Sequence, residues 1–171
     1  MIETQETAAE DPRAGLIAHY QQVWQHGSVD MAEINPALAI EVVDFVRYRG
    51  DWLGVMIAPW FIRLFLLPGG GDLWGDIPDG QRRYVDLAGG TQVFFAETAP
   101  DIGPFQYAPV LASVILLRDM AAARRIAVDA LRTALGLPPP EPLAGGRPEV
   151  SEDPPAPLSR RGFLRNLIGR R

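Results

Sequence analysis

The polar and apolar positions open with a helical period. In "DPRAGLIAHYQQVWQHG", residues 11–27, Leu16, Ile17, Tyr20, Val23 and Trp24 fall at i, i+1, i+4, i+7 and i+8. That spacing predicts a helix with one apolar face, which needs a partner to cover it. Asp11 suits its cap, Pro12 its first turn and Gly27 its end. The pattern then changes. "NPALAIEVVDFVRYRGDWLGVMIAP" is dominated by Val, Ile, Phe and Tyr and predicts two strands around a turn at "RGD", with Gly50 supplying the turn. "WFIRLFLLPGGG" predicts a third strand, so the strand signals lie at 39–48, 51–58 and 61–67. "GDLWGDIPDGQ" is a loop by composition. "RRYVDLAGGTQVFFAET" predicts a second hairpin turning at Gly89-Gly90, and "FQYAPVLASVILL" a last strand in which Pro109 indicates an edge or a bulge. The helical period returns after Asp119, a cap, with Met120, Ala123, Ile126, Ala127, Ala130, Leu131 and Ala134 as its stripe and Gly136 and Pro138 as its stop.

Helix, strands, helix predicts an α+β fold: an antiparallel β-sheet meander covered by an N-terminal and a C-terminal helix. The polar, acidic stretch 1–11 reads as disordered, 12–136 as the folded domain, and 137–158, rich in Pro, Gly and acid, as a semi-extended linker. Residues 159–171 form a basic tail. The most apolar stretch, 53–68, is broken by Pro59 and Arg63 and is too short to span a bilayer as a helix. "MIETQETAAEDP" has neither the basic nor the apolar region of a secretory signal, so a cytoplasmic location is expected.

Composition narrows the chemistry. The chain has no cysteine, which removes thiolate nucleophiles, disulfides and iron–sulfur ligation. It has two histidines, His19 and His26, seven apart and best read as a solvated pair on the first helix. No metal site and no cofactor are expected. All sixteen basic residues are arginine, so Schiff-base chemistry and the P-loop lysine are excluded. No G-x-S-x-G occurs. "GGGDLWGD" has no phosphate-loop spacing and reads as a flexible surface loop; Asp72, Asp76 and Asp79 lack the spacing of a calcium loop. The last thirteen residues carry five arginines and no acid, whereas the rest carries 21 acids and 11 arginines; the net charge is −5. An acidic body with a basic tail predicts no nucleic-acid partner.

Two features remain. Trp52, Trp60, Phe61 and Trp74 cluster around Pro59 and the following loop, where tryptophan offers a peptide large contact area at low entropy cost. The chain closes on "SRRGFLRNLIGRR", whose Ser159, Arg160, Arg161, Phe163, Leu164 and Arg165 read like the twin-arginine motif of a bacterial export signal. No long apolar region follows, so the tail imitates the front half of such a signal without acting as one. A plainer reading is a basic amphipathic tail making transient contact with a membrane or an acidic partner.

"NPALAIEVVDF" (35–45), "GDWLGVMIAPWFIRLFLLPG" (50–69), "LWGD" (73–76) and the alanine-rich helix 119–135 resemble the HybE/HupJ/HoxT family of nickel–iron hydrogenase assembly chaperones. The resemblance covers roughly residues 14–136 and is strongest at 50–69; the tail is similar to that of some members. "GPFQYAPVLASVI" (103–115) departs from it, being more apolar than the family's strand. The resemblance implies a cytoplasmic protein that is not an enzyme and that holds small- and large-subunit hydrogenase precursors, alongside other maturation factors. The small subunit's twin-arginine signal would be part of what is held. Client binding is then expected at Trp52, Trp60, Phe61 and Trp74, with Glu41, Asp44, Asp51, Asp72 and Asp76 meeting the signal's arginines. The tail would be a mimic of that signal. A peripheral membrane adaptor and a small-molecule enzyme of α+β fold are the alternatives.

Overall fold

The computed structural model describes residues 10–139. The chain runs α1 (Arg13–Gln25), a 3-10 turn (Met31–Glu33), β1 (Glu41–Tyr48), β2 (Asp51–Ala58), β3 (Phe61–Leu67), β4 (Arg82–Leu87), β5 (Gly90–Ala99), β6 (Gly103–Pro109) and α2 (Met120–Ala134). All six strands form one antiparallel sheet in the order β1-β2-β3-β6-β5-β4. The fold is therefore α+β, as the hydrophobic pattern predicts. The order has one break: after β3 the chain crosses to the far edge before returning through β5 and β6.

Side chains alternate across a strand, so β2 and β3 feed two cores. Leu53, Val55, Ile57, Ile62, Leu64 and Leu66 pack with Ala123, Ala127 and Leu131 of α2. Met56, Ala58, Phe61, Phe65 and Leu67 pack with Leu16 and Tyr20 of α1 on the opposite face. A strand covered on both faces reads as a continuous apolar run, which is why 53–68 carries so little polarity. Gly54 makes room on the α1 side: the Phe45 ring of the neighbouring strand occupies the place its side chain would fill.

The β1–β2 turn is the two-residue Arg49-Gly50, both with positive φ (52° and 85°), the twist that suits a tight hairpin. Arg49 accepts that conformation while its guanidinium holds Asp72 through two hydrogen bonds of 3.0 and 3.1 Å. The glycine run that follows β3 is packed onto this turn: a side chain at Gly71 would collide with the Arg49 carbonyl oxygen. The loop is thus fixed in place, contrary to the flexible loop its composition suggests.

Asp51 does the fixing. Its carboxylate is fully buried; Oδ1 accepts from the N–H groups of Gly69 and Gly71, and Oδ2 from those of Leu73 and Trp74, at 2.7–3.0 Å. Asp51, one of the acids expected to meet a client, thus has its carboxylate turned to the backbone of the loop.

The expected strand over 105–117 ends at Pro109. β6 is also an interior strand, not an edge. Pro109 fits there because the ladder to β5 has already ended at the Phe95–Tyr107 pair, so no partner waits for its missing N–H. Val110 donates a last hydrogen bond to Ile62, and the chain then leaves the sheet. The buried Asn35 catches it, donating through Nδ2 to the carbonyls of Val114 (2.9 Å) and Leu117 (2.8 Å). Asp119 caps α2 by accepting from Ala122 N–H at 2.8 Å, and Gly136, at φ 66°, ends it. At α1, Pro12 occupies the cap position and Asp11 accepts from Arg13 N–H instead.

Burial alone would raise the Asp51 pKa; the four backbone N–H groups outweigh it and hold the carboxyl below the usual carboxylate range. Asp51→Asn turns an amide NH2 toward backbone donors, and we expect it to cost about 3 kcal/mol or more at neutral pH, measured by urea unfolding. A depressed folded-state pKa contributes stability that is complete above the unfolded value of about 4 and is lost as pH falls through the folded value. The gap between wild type and variant is therefore expected to narrow in acid.

Candidate functional site

The tryptophans that sequence groups together are separated by the fold. Trp60 stands at the β2–β3 turn beside α1, its ring parallel to that of Trp24 at a centroid distance of 5.7 Å and an interplanar angle of 3°. Both are partly exposed. Phe61 points into the core between Tyr20 and Phe65 and is 5% exposed, so it supports Trp60 from beneath and offers no surface of its own. Trp74 lies on the other side, against the α2 core.

Trp52 belongs to the α1 side but to a different place. Half-buried, it carries the Arg47 guanidinium 4.8 Å from its ring and is the Cα partner of Leu67. With Leu67, Pro68 and Ile102 it forms the apolar wall of a groove of about 350 Å³ beside the N-terminus of α1. Glu10, Asp11 and Asp101 supply its polar rim. A second groove of about 350 Å³ joins Trp74, Ile77 and Phe105 to Asp76, Asp79 and Glu97. Each groove pairs aromatic walls with three carboxylates.

The acids expected to meet a client are for the most part occupied by the fold. Arg124 of α2 grips Glu41 with two hydrogen bonds of 2.7 and 2.6 Å and thereby holds the Glu41 carboxyl below its usual range. Asp44 pairs with Arg13 of α1 at 3.4 Å, and Asp72 with Arg49. These pairs tie β1 to both helices and the loop to its turn. Asp76 alone of the five expected acids lines a groove. Sequence reasoning missed Glu10 and Asp101, and no local signal marks them. They meet because α1 packs against the β5–β6 turn, where Ile102 lies 3.3 Å from the place a Gly15 side chain would occupy.

Among the described residues there is no group of histidine, cysteine, aspartate or glutamate that would hold a metal ion. No helix among them is long and apolar enough to cross a membrane. Residues 140–171, including the linker and tail motif, and 1–9 lie outside the described residues.

The architecture is a six-stranded antiparallel sheet with a helix on each face and two open, acid-rimmed aromatic grooves. Residues 11–166 match the family described as "[NiFe]-hydrogenase assembly, chaperone, HybE", and the chain belongs to that family of assembly chaperones, which are not enzymes. It is 24% identical over 139 residues to the hydrogenase-2 operon protein HybE of Escherichia coli K12, covering 80% of this chain and 86% of that one. It is 28% identical over 156 residues to the hydrogenase expression/formation protein HupJ of Bradyrhizobium diazoefficiens, covering 91% and 88%. Against the probable rubredoxin HupJ of Rhodobacter capsulatus it is 29% identical over 93 residues but spans only 34% of that longer protein. The solution structure of HybE from Escherichia coli superposes with a TM-score of 0.60 at 25% identity, covering 80% of this chain and 86% of that one.

Glu41→Gln is expected to give a small loss of stability, seen as a slightly lower Tm, that high salt reduces because the pair is partly exposed. The difference from wild type should fade in acid, since a lowered folded-state pKa gives stability that disappears as the carboxylate is protonated.

Proposed function

We propose that this chain holds precursor nickel–iron hydrogenase subunits in the cytoplasm during assembly, including the small subunit with its twin-arginine signal before export. The observation that carries this reading is the groove beside α1. Its Trp52, Leu67, Pro68 and Ile102 wall faces Glu10, Asp11 and Asp101. A twin-arginine segment presents a guanidinium pair followed by large apolar side chains. Guanidinium forks match carboxylates through paired hydrogen bonds, and the apolar residues need a slot beside them. One groove meets both demands. Trp60 and the Trp74–Asp76 groove provide further contact area for the rest of a subunit.

The tail fits this scheme as a competitor. Ser159, Arg160, Arg161, Phe163, Leu164 and Arg165 carry the client's chemistry within the same chain. A linker of about twenty residues sets an effective concentration of order millimolar, so weak binding to the groove of its own body or a neighbour's is populated. A client signal, with its longer apolar region, displaces it.

The test is the affinity of a synthetic twin-arginine signal peptide, taken from the small subunit, measured by calorimetry. Removing residues 159–171 should tighten binding, and Arg160→Gln/Arg161→Gln should tighten it as well. Trp52→Ala should cost about 2 kcal/mol or more, and Asp101→Asn should weaken binding and flatten its salt dependence. No binding by any form overturns the signal-holding role. Equal or weaker binding after tail removal leaves the tail as a membrane or partner handle.

A further inference from the structure

α1 packs chiefly against β1 and the neighbouring core, so the same face of the sheet continues past it over β6, β5 and β4. One row of Cα partners crosses that continuation: Phe65, Tyr107, Phe95 and Arg82. Beside it Arg63 stands opposite Pro109, and Tyr84 opposite Val93. Tyr84 is 65% exposed, Arg82 is exposed, and Arg63, Val93, Phe95 and Tyr107 are partly so. The Phe95 and Tyr107 rings lie against each other at 5.8 Å.

Arg63 is the unusual member. Its guanidinium sits 4.4 Å from the Phe61 ring and 4.2 Å from the Tyr107 ring. A guanidinium held over aromatic faces keeps its in-plane N–H donors for an acceptor. Neither Arg63 nor Arg82 forms an ion pair among the described residues, although the chain carries five more acids than bases. Beside Arg63 the Tyr20 hydroxyl of α1 is buried. Burial raises its pKa strongly, with Arg63 opposing and Glu97 reinforcing the shift, so the hydroxyl remains a proton donor. The face also has acids. Asp86 is held by the Thr91 hydroxyl at 2.6 Å near the β4–β5 turn, and Glu97 lies toward the opposite end of β5.

We infer that this open aromatic half of the sheet docks a protein segment that presents an Asp or Glu side chain flanked by apolar residues, with Arg63 as the anchor for the carboxylate. The inference deepens the holding function proposed above and rests on it, but it uses a different surface from the signal groove. A flat face spanning four strands suits a polypeptide better than a small molecule, which needs enclosure. Tyrosine and arginine are the residue types that dominate such contacts. Two arginines without ion pairs among the described residues, between Asp86 and Glu97, favour an acid near the centre and oppose one at either end, which fixes the register of the partner.

The experiment measures the affinity of the full chain for purified small- and large-subunit hydrogenase precursors at two salt concentrations. Arg63→Gln should weaken binding of at least one precursor by about tenfold or more and flatten its salt dependence. Arg63→Lys, which keeps the charge without the planar fork, should recover part of the loss. Tyr84→Ala and Arg82→Gln, at exposed positions that leave the core intact, should weaken the same precursor, and they decide the matter if Arg63→Gln alters the near-ultraviolet dichroism of the fold. Unchanged affinity in Tyr84→Ala, Arg82→Gln and a folded Arg63→Gln overturns the docking surface while leaving the holding function standing. Failure of wild type to bind either precursor overturns the holding function, and this partner with it.

Discussion

One carboxylate decides where the chain goes after its third strand. Asp51 begins β2, yet its acceptors serve the loop some twenty residues later, gathering the N–H groups of Gly69, Gly71, Leu73 and Trp74. A buried carboxylate stripped of water is tolerable only when its lone pairs are filled, and four backbone donors fill them. Once the loop is bound there, Leu73 drops into the α2 core. The carbonyls of Leu73 and Gly75 then receive Arg83 of β4, with Gln106 of β6 joining at Gly75. The far half of the sheet is therefore held to the near half through this loop as well as through the β3–β6 ladder. The sheet order departs from a simple meander because the loop is anchored in this way.

That order shapes the grooves and the open face. Crossing to the far edge puts β6 in the middle and leaves β4 and most of β5 beyond α1, which touches β5 only near its end at Ala99. The α2 face closes over its core, with α2 and the 110–118 segment held by Asn35. The α1 face does not close. Its near half is roofed by α1, whose N-terminus meets the β5–β6 turn to make the groove at Trp52. Its far half presents Tyr84, Phe95 and Tyr107 in the open. A single thirteen-residue helix on a six-stranded sheet leaves part of that face uncovered.

Much of the fold could be read from periodicity. Both helices, the five strands with clear turn signals and the capping role of Asp119 lie where alternation and caps put them, because those signals are local. The strand over 105–117 was misread past Pro109 because its apolar residues are buried in a loop. Val114 is 1% exposed there through its contact with the α2 core, not through sheet pairing. The family, too, was legible, in the framework around 50–69. The site was less so. Trp52 and Trp60 share the α1 side but stand at opposite ends of β2, and Trp74 reaches the α2 core from the loop after β3. Glu10, Asp101, Arg63 and Tyr84 are drawn into grooves and faces by contacts between elements far apart in sequence. Asp51 looked like a surface acid because nothing in a sequence marks a carboxylate whose partners are all backbone.

The charges divide by whether the fold uses them. Glu41, Asp44, Asp72 and Asp51 are consumed by α2, α1, the β1–β2 turn and the crossover loop, and each is placed to hold two elements together. Asp101 on the rim of the Trp52 groove and Arg63 and Arg82 on the open sheet form no ion pair among the described residues. A charge engaged in holding two elements must be pulled free before it can bind a partner, which lowers its value as a contact. A charge left free, yet set against an aromatic surface that lowers the cost of desolvating it, is already organised for one. By this criterion Asp101 at the Trp52 groove, unlike Asp11, which pairs with Arg13, and the arginine beside Tyr107 are suited to partners of opposite sign. A partner with both a basic segment and an acidic one would engage both at once, each contact raising the effective concentration of the other.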